Sequence, residues 1–157
     1  HNHAAFPFKS QSTEKFYIVG GDEWFPWRYP GKPRPYQPRG GFHFLDFTDI
    51  ENPKEEAVYT ITEAGSHNHW IQGDTLIAAY YNAGLRIVDI SGDLLGDLYR
   101  QGREIAFYMS SQTDGHIPNS TNVWGAIPYK GLIYFTDMYS GLYCVKLVDK
   151  QTDTTSP

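Results

Sequence analysis

The chain has a single cysteine, Cys144, which excludes an internal disulfide and a zinc site built on several cysteines. Basic residues are scarce. Thirteen Lys and Arg stand against 18 Asp and Glu, a net charge of −5. A general nucleic-acid binder needs a basic surface, so no nucleic-acid partner is expected. No apolar run approaches the roughly 20 residues of a membrane span. Charged residues are 20% and hydrophobic residues 40%, too little charge and too much apolar content for a disordered chain. Helical periodicity is hard to find, and only Asp93–Tyr99 reads as a short helical turn. There is no P-loop, no dinucleotide fingerprint and no G-x-S-x-G. Asp89, Ser91 and Asp93 are spaced like the start of a calcium loop, but Leu94 and Arg100 replace its glycine and its closing acid. The chain opens on HNHAAF without a methionine, which reads as a removed leader or as part of a longer polypeptide.

Aromatics are abundant at 16%, with 15 Gly and 10 Pro, a mixture that favours short strands and turns. Three segments align as repeats. Their first parts read HNHAAF (1–6), HNHWIQ (67–72) and TNVWGA (121–126). The second parts read KFYIVGGDE (15–23), DTLIAAYYN (74–82) and GLIYFTDMY (131–139). The third parts read GGFHFLDFTD (40–49), AGLRIVDISG (83–92) and SGLYCVKLVD (140–149), with Gly41, Gly84 and Gly141 at equivalent places. Fourth parts, KEEAVYTI (54–61) and GREIAFYMS (102–110), follow the first two. Each part has the short, β-branched and aromatic character of a strand. Four strands per repeat, at roughly the 40–45 residue period of four-stranded blades, predict an all-β fold, a β-propeller of antiparallel blades.

The blades fall at about 1–61, 67–110 and 121–149, the last without its outer strand, and 150–157 form a polar tail. Three blades do not close a ring of about 4–8. The expectation is therefore the C-terminal part of a longer propeller, or one closed by further copies. The motifs GLRIVDIS and FHFLDFTDIENP resemble the LVIVD-repeat family of bacterial β-propellers. GLYCVKLVD is a degenerate copy, with Lys146 in place of the aspartate at Asp46 and Asp89. The resemblance implies a secreted or surface protein: extracellular, on the cell surface or periplasmic.

In such blades the links between second and third strands, and between fourth and first strands, share one face. That face receives the HNH starts, the insertion Trp24–Arg39 and the link Ser110–Ser120. Trp24, Phe25, Trp27, Arg28, Tyr29, Arg34 and Tyr36 lie on a proline-stiffened loop. Such loops lose little entropy on binding, and Trp, Tyr and Arg are the usual hot-spot residues. The loop reads as a binding site for a protein partner or an extracellular glycan. The alternative is a lid packed on its own blades.

His67 and His69, two apart, point to one side of a strand with Asn68 opposite. His1 and His3 repeat this, and His116 lies nearby. Converging imidazoles suit copper, zinc or nickel, which gives a competing reading, a Cu- or Zn-dependent oxidoreductase. These inner histidines resemble those of the selenium-binding or methanethiol-oxidase propellers. The plainer reading is a polar, hydrogen-bonded ring. Asp22, Glu23 and Asp114 add acids without an evident pair. Trp70 and Trp124 read as packing residues, and Cys144 as a buried, inert thiol. The main functional reading is a non-enzymatic binding or assembly module, with a carbohydrate-binding propeller as a third possibility.

Overall fold

A computed structural model describes residues 2–24 and 38–148. Twelve strands form three sheets, and no helix occurs among the described residues. The first sheet contains β1 (Asn2–Lys9), β2 (Phe16–Asp22), β3 (Phe42–Asp46) and β4 (Lys54–Tyr59), antiparallel and in chain order. The second contains β5 (His69–Gln72), β6 (Thr75–Tyr80), β7 (Gly84–Asp89) and β9 (Glu104–Tyr108). The third contains β10 (Val123–Tyr129), β11 (Leu132–Asp137) and β12 (Gly141–Val145). Among the described residues no sheet closes on itself.

The remaining strand corrects the sequence reading. Asp93–Tyr99 is not helical. Gly96–Asp97 form β8, which pairs parallel with Ala57 and Val58 of β4. The link out of β7 thus crosses to the edge of the first sheet before returning as β9. Leu94 and Leu98, buried beneath it, pack between the first two sheets.

Burial follows the stacking of the sheets. One core joins Tyr17, Phe42, Phe44 and Tyr59 of the first sheet to Leu76, Ala78, Tyr80 and Val88 of the second. Another joins Ile77, Ala79, Leu85 and Ile87 of the second to Val123, Ala126, Ile133 and Phe135 of the third. The middle sheet is therefore covered on both faces, and β6 is buried from Leu76 to Tyr80 without alternation. β2 and β11, covered on one face, alternate with period two.

Polar ties lock the sheets together. The carboxylate of Asp74, in the β5–β6 turn, accepts the backbone N–H of Gln11 and of Ser12, each at 2.8 Å. Burial works to raise its pKa, but the bonds from Ser12 and Gln11 outweigh it and hold the group below the usual aspartate value. The turn of the second sheet is thereby clamped onto the β1–β2 turn of the first. Asp74→Ala is expected to cost about 1–2 kcal/mol, since charge-assisted bonds to backbone are lost at a half-exposed site. A lower urea midpoint at unchanged slope is the readout. Farther out, the Tyr59 hydroxyl donates to Glu104, whose carboxylate also takes Arg86 Nη1 at 3.1 Å. Burial first, then the Glu104 carboxylate, pushes the Tyr59 phenol far above its ordinary pKa.

Asp46 and Asp89 do the same local work at the ends of β3 and β7. Each accepts the N–H two residues on, from Thr48 at 2.8 Å and from Ser91 at 2.9 Å. Such Asx turns need a short acceptor side chain, which Lys146 is not. Cys144 departs from expectation, being exposed on β12 and not buried.

Candidate functional site

Three links meet at one end of the sheets. Glu23 and Trp24, just past β2, lie beside the approach to β5. Tyr81, just past β6, bridges Val123 at the start of β10. The link Ser110–Ser120 returns over the β11–β12 turn, where the His116 N–H donates to the Tyr139 carbonyl at 2.6 Å. The first strands of all three sheets begin at this end.

A continuous polar network fills the junction. His3 Nδ1 lies 3.1 Å from Glu23 Oε2, and His3 Nε2 lies 3.0 Å from Asn68 Oδ1. The Tyr81 hydroxyl donates to Glu23 Oε1 at 2.6 Å. His67 Nε2 sits 4.0 Å from that same oxygen. The His67 and His3 rings lie in contact, tilted by 33° with centroids 4.2 Å apart.

The neighbours of His67 fix its protonation. Its Nδ1 lies 2.6 Å from the Trp124 carbonyl, which only accepts, so Nδ1 carries the proton. Its Nε2 takes the Trp124 indole N–H at 2.5 Å, a group that only donates, so Nε2 bears a lone pair. The ring is neutral and of defined tautomer. Burial lowers its pKa, and the nearby His3 adds to this.

His69 diverges from His67 despite the two-residue spacing. It is 7% exposed and packs its ring against Phe42, centroids 4.8 Å apart, and beside Gly21. Neither ring nitrogen makes a hydrogen bond of good geometry. Burial pushes its pKa down to about 4, with the Val19 carbonyl acting weakly the other way.

Of the histidines singled out in the sequence, His3 and His67 are brought together. His69 is turned into the core, exposed His116 stands on its loop, and His1 lies outside the described residues. Among the described residues, the one trio of possible metal donors is His3, Glu23 and His67, their donor atoms within 4.8 Å of one another. Glu23, Asn68, Tyr81 and Trp124 complete the network. Sequence reading placed the first among unpaired acids and Trp124 among packing residues, whereas Trp124 is 42% exposed and hydrogen-bonded. The two-residue spacing predicts Asn68 on the side opposite the histidines, yet its side chain meets His3.

The aromatic loop springs from the same end. Trp24 and Arg39 pair as an antiparallel bridge, with N···O distances of 2.9 and 2.8 Å, and the Arg39 guanidinium lies 6.0 Å from the Trp24 ring. Phe25, Trp27, Arg28, Tyr29, Arg34 and Tyr36 lie outside the described residues. Beside the network, the first strands border a cleft of about 400 Å³, lined by Phe6, His69, Trp70, Ile127, Tyr134 and Leu142 among others. No helix among the described residues is long and apolar enough to cross a membrane. In comparisons with protein families, curated proteins and solved structures, nothing matches this chain.

Proposed function

We propose that the chain is a segment of an LVIVD-type β-propeller, secreted or surface-exposed, that works as a non-enzymatic binding and assembly module. Three successive meanders of four, four and three repeat-derived strands, stacked face to face, support the propeller reading. The binding end is the one where the first strands begin. One observation carries this: the Trp24–Arg39 loop base, the His3–Glu23–Tyr81–His67 network and the Asn68–His69 side of an apolar cleft meet there. A rigid polar junction beside exposed tryptophans is the composition of a recognition surface, in which aromatics anchor and the polar groups set orientation. The partner class is a protein or an extracellular glycan.

Replacing residues 26–38 by a short Gly-Ser linker tests the assignment. The expected variant keeps the parent's far-UV spectrum and melting temperature and loses capture of envelope proteins or of array-bound glycans. Capture undiminished by the replacement overturns the assignment of the binding end. Retention on glycans alone by the parent chain selects the carbohydrate partner.

A further inference from the structure

Two imidazoles and a carboxylate reach the same point from three separate stretches of chain. We propose that His3, Glu23 and His67 form a site for one divalent transition ion of the zinc class, gated by Trp124. The binding-module reading does not require this site, and the site does not depend on that reading.

The argument begins with the far nitrogen of each ring. A metal-bound imidazole donates its other N–H to a fixed acceptor, which sets tautomer and orientation. His67 places Nδ1 on the Trp124 carbonyl and turns Nε2 toward Glu23. His3 places Nε2 on Asn68 Oδ1 and turns Nδ1 toward Glu23. Each imidazole is thus anchored on an amide oxygen and presents its remaining nitrogen inward. The carboxylate is anchored in the same manner by the Tyr81 hydroxyl. Orienting contacts for all three donors are in place.

Donor chemistry selects the ion. Two imidazole nitrogens and one carboxylate oxygen suit zinc and its transition-metal neighbours, whereas calcium and magnesium prefer oxygen throughout. Bonds of roughly 2.0–2.2 Å place donors of a tetrahedral ion about 3.3–3.6 Å apart. His3 Nδ1 stands 3.1 Å from Glu23 Oε2, and His67 Nε2, 4.0 Å from Oε1 of the same carboxylate, must move closer. Three protein donors leave a fourth position for water or a donor from a bound partner.

Two contacts oppose loading. The proton that His3 Nδ1 donates to the Glu23 carboxylate at 3.1 Å must leave. The second lies on His67. The Trp124 indole N–H occupies the Nε2 lone pair that the ion needs. Ion and indole therefore compete for one pair of electrons. Trp124 is half-exposed and sits at a register shift in β10, between Val123 and Gly125, so its ring has solvent to move into. Loading releases the indole, and unloading recaptures it.

Titrating the full chain, stripped of metal, with zinc chloride tests this by calorimetry and by tryptophan emission together. One equivalent is expected to bind, with a change in emission that Trp124→Phe abolishes. Glu23→Gln and His3→Ala should weaken binding at least about tenfold. Both positions keep some solvent contact, so these variants serve where buried His67→Ala fails to fold. Trp124→Phe removes the competitor and should bind zinc several-fold more tightly. His1→Ala and His116→Ala should bind as the parent does. Absence of a stoichiometric heat, Glu23→Gln binding like the parent, or displacement of zinc by equal magnesium overturns the site. Trp124→Phe binding more weakly than the parent overturns the gate.

Discussion

Asp137→Ala is expected to lower the stability of the fold by about 3–5 kcal/mol, because a buried carboxylate with four donors leaves all of them unpaired. Asp137 closes β11 and is buried. Its Oδ2 takes the Ser110 hydroxyl at 2.5 Å and the Asn122 N–H at 2.7 Å. Its Oδ1 takes the N–H of Tyr139 at 2.7 Å and of Ser140 at 3.1 Å. The group thus pins the end of the second repeat, the entry to β10 and the β11–β12 turn to one point. Ser110 is held from its other side as well, its carbonyl accepting the hydroxyls of Ser140 and Tyr143. Asp137→Asn separates shape from charge. The amide retains one acceptor oxygen and turns an NH2 against two of the donors, so it should recover less than half of the loss. Urea midpoints of the three proteins provide the measurement. An alanine variant within about 1 kcal/mol of the parent contradicts the assigned role.

The eleven repeat-derived strands were legible because each is short, bounded by turn residues and echoed elsewhere in the chain. Ile133, Phe135 and Asp137 alternate with Tyr134 and Thr136 as a one-sided strand must. β6 carries no alternation, since both its faces are covered, and alignment with β2 and β11 located it. β8 left no comparable signal. It is two residues long, and Leu94 and Leu98, four apart, imitate a helical face while serving as plugs between sheets.

Cys144 shows how a sound equivalence fails. Its counterpart in β7 is Ile87, buried because the third sheet lies over it. Cys144 and Leu142 occupy the matching outward positions of β12, and Leu142 is 72% exposed. No described sheet covers that face. Position in a repeat fixes which way a side chain points, while its burial depends on the neighbour. The site was legible only in part for a related reason. The HNH triplets marked the converging strand starts. Glu23 and Tyr81 join them through links, and Trp124 through a register shift in β10, whose geometry no local pattern encodes.

Acidification should destabilise the fold well above the range where carboxylates titrate, and His69 sets that onset. Its folded-state pKa of about 4 lies below the roughly 6.5 of an unfolded histidine. Between these values the unfolded chain binds a proton that the folded chain refuses, so stability falls with falling pH. The loss is absent above pH 6.5 or so, reaches about 2 kcal/mol by pH 5 and totals about 3 kcal/mol below pH 4. The cause is visible in the packing. The ring is wedged against Phe42 and Gly21 with no hydrogen bond of good geometry at either nitrogen, so an imidazolium there has only the Val19 carbonyl to offset its lost hydration. His67, also buried and held below its ordinary pKa, adds to the loss in the same direction. The aspartates held low by hydrogen bonds, Asp46 and Asp74, contribute only at more acid pH, as stability falls through their own titration. His69→Phe isolates the effect by keeping an aromatic ring of similar size beside Phe6 and Phe42 while removing the proton site. Urea midpoints of parent and variant at pH 7 and pH 5 should differ in their pH response by about 2 kcal/mol, with the variant retaining only the part due to His67. Equal pH dependence in the two proteins refutes a neutral, buried His69 as the source.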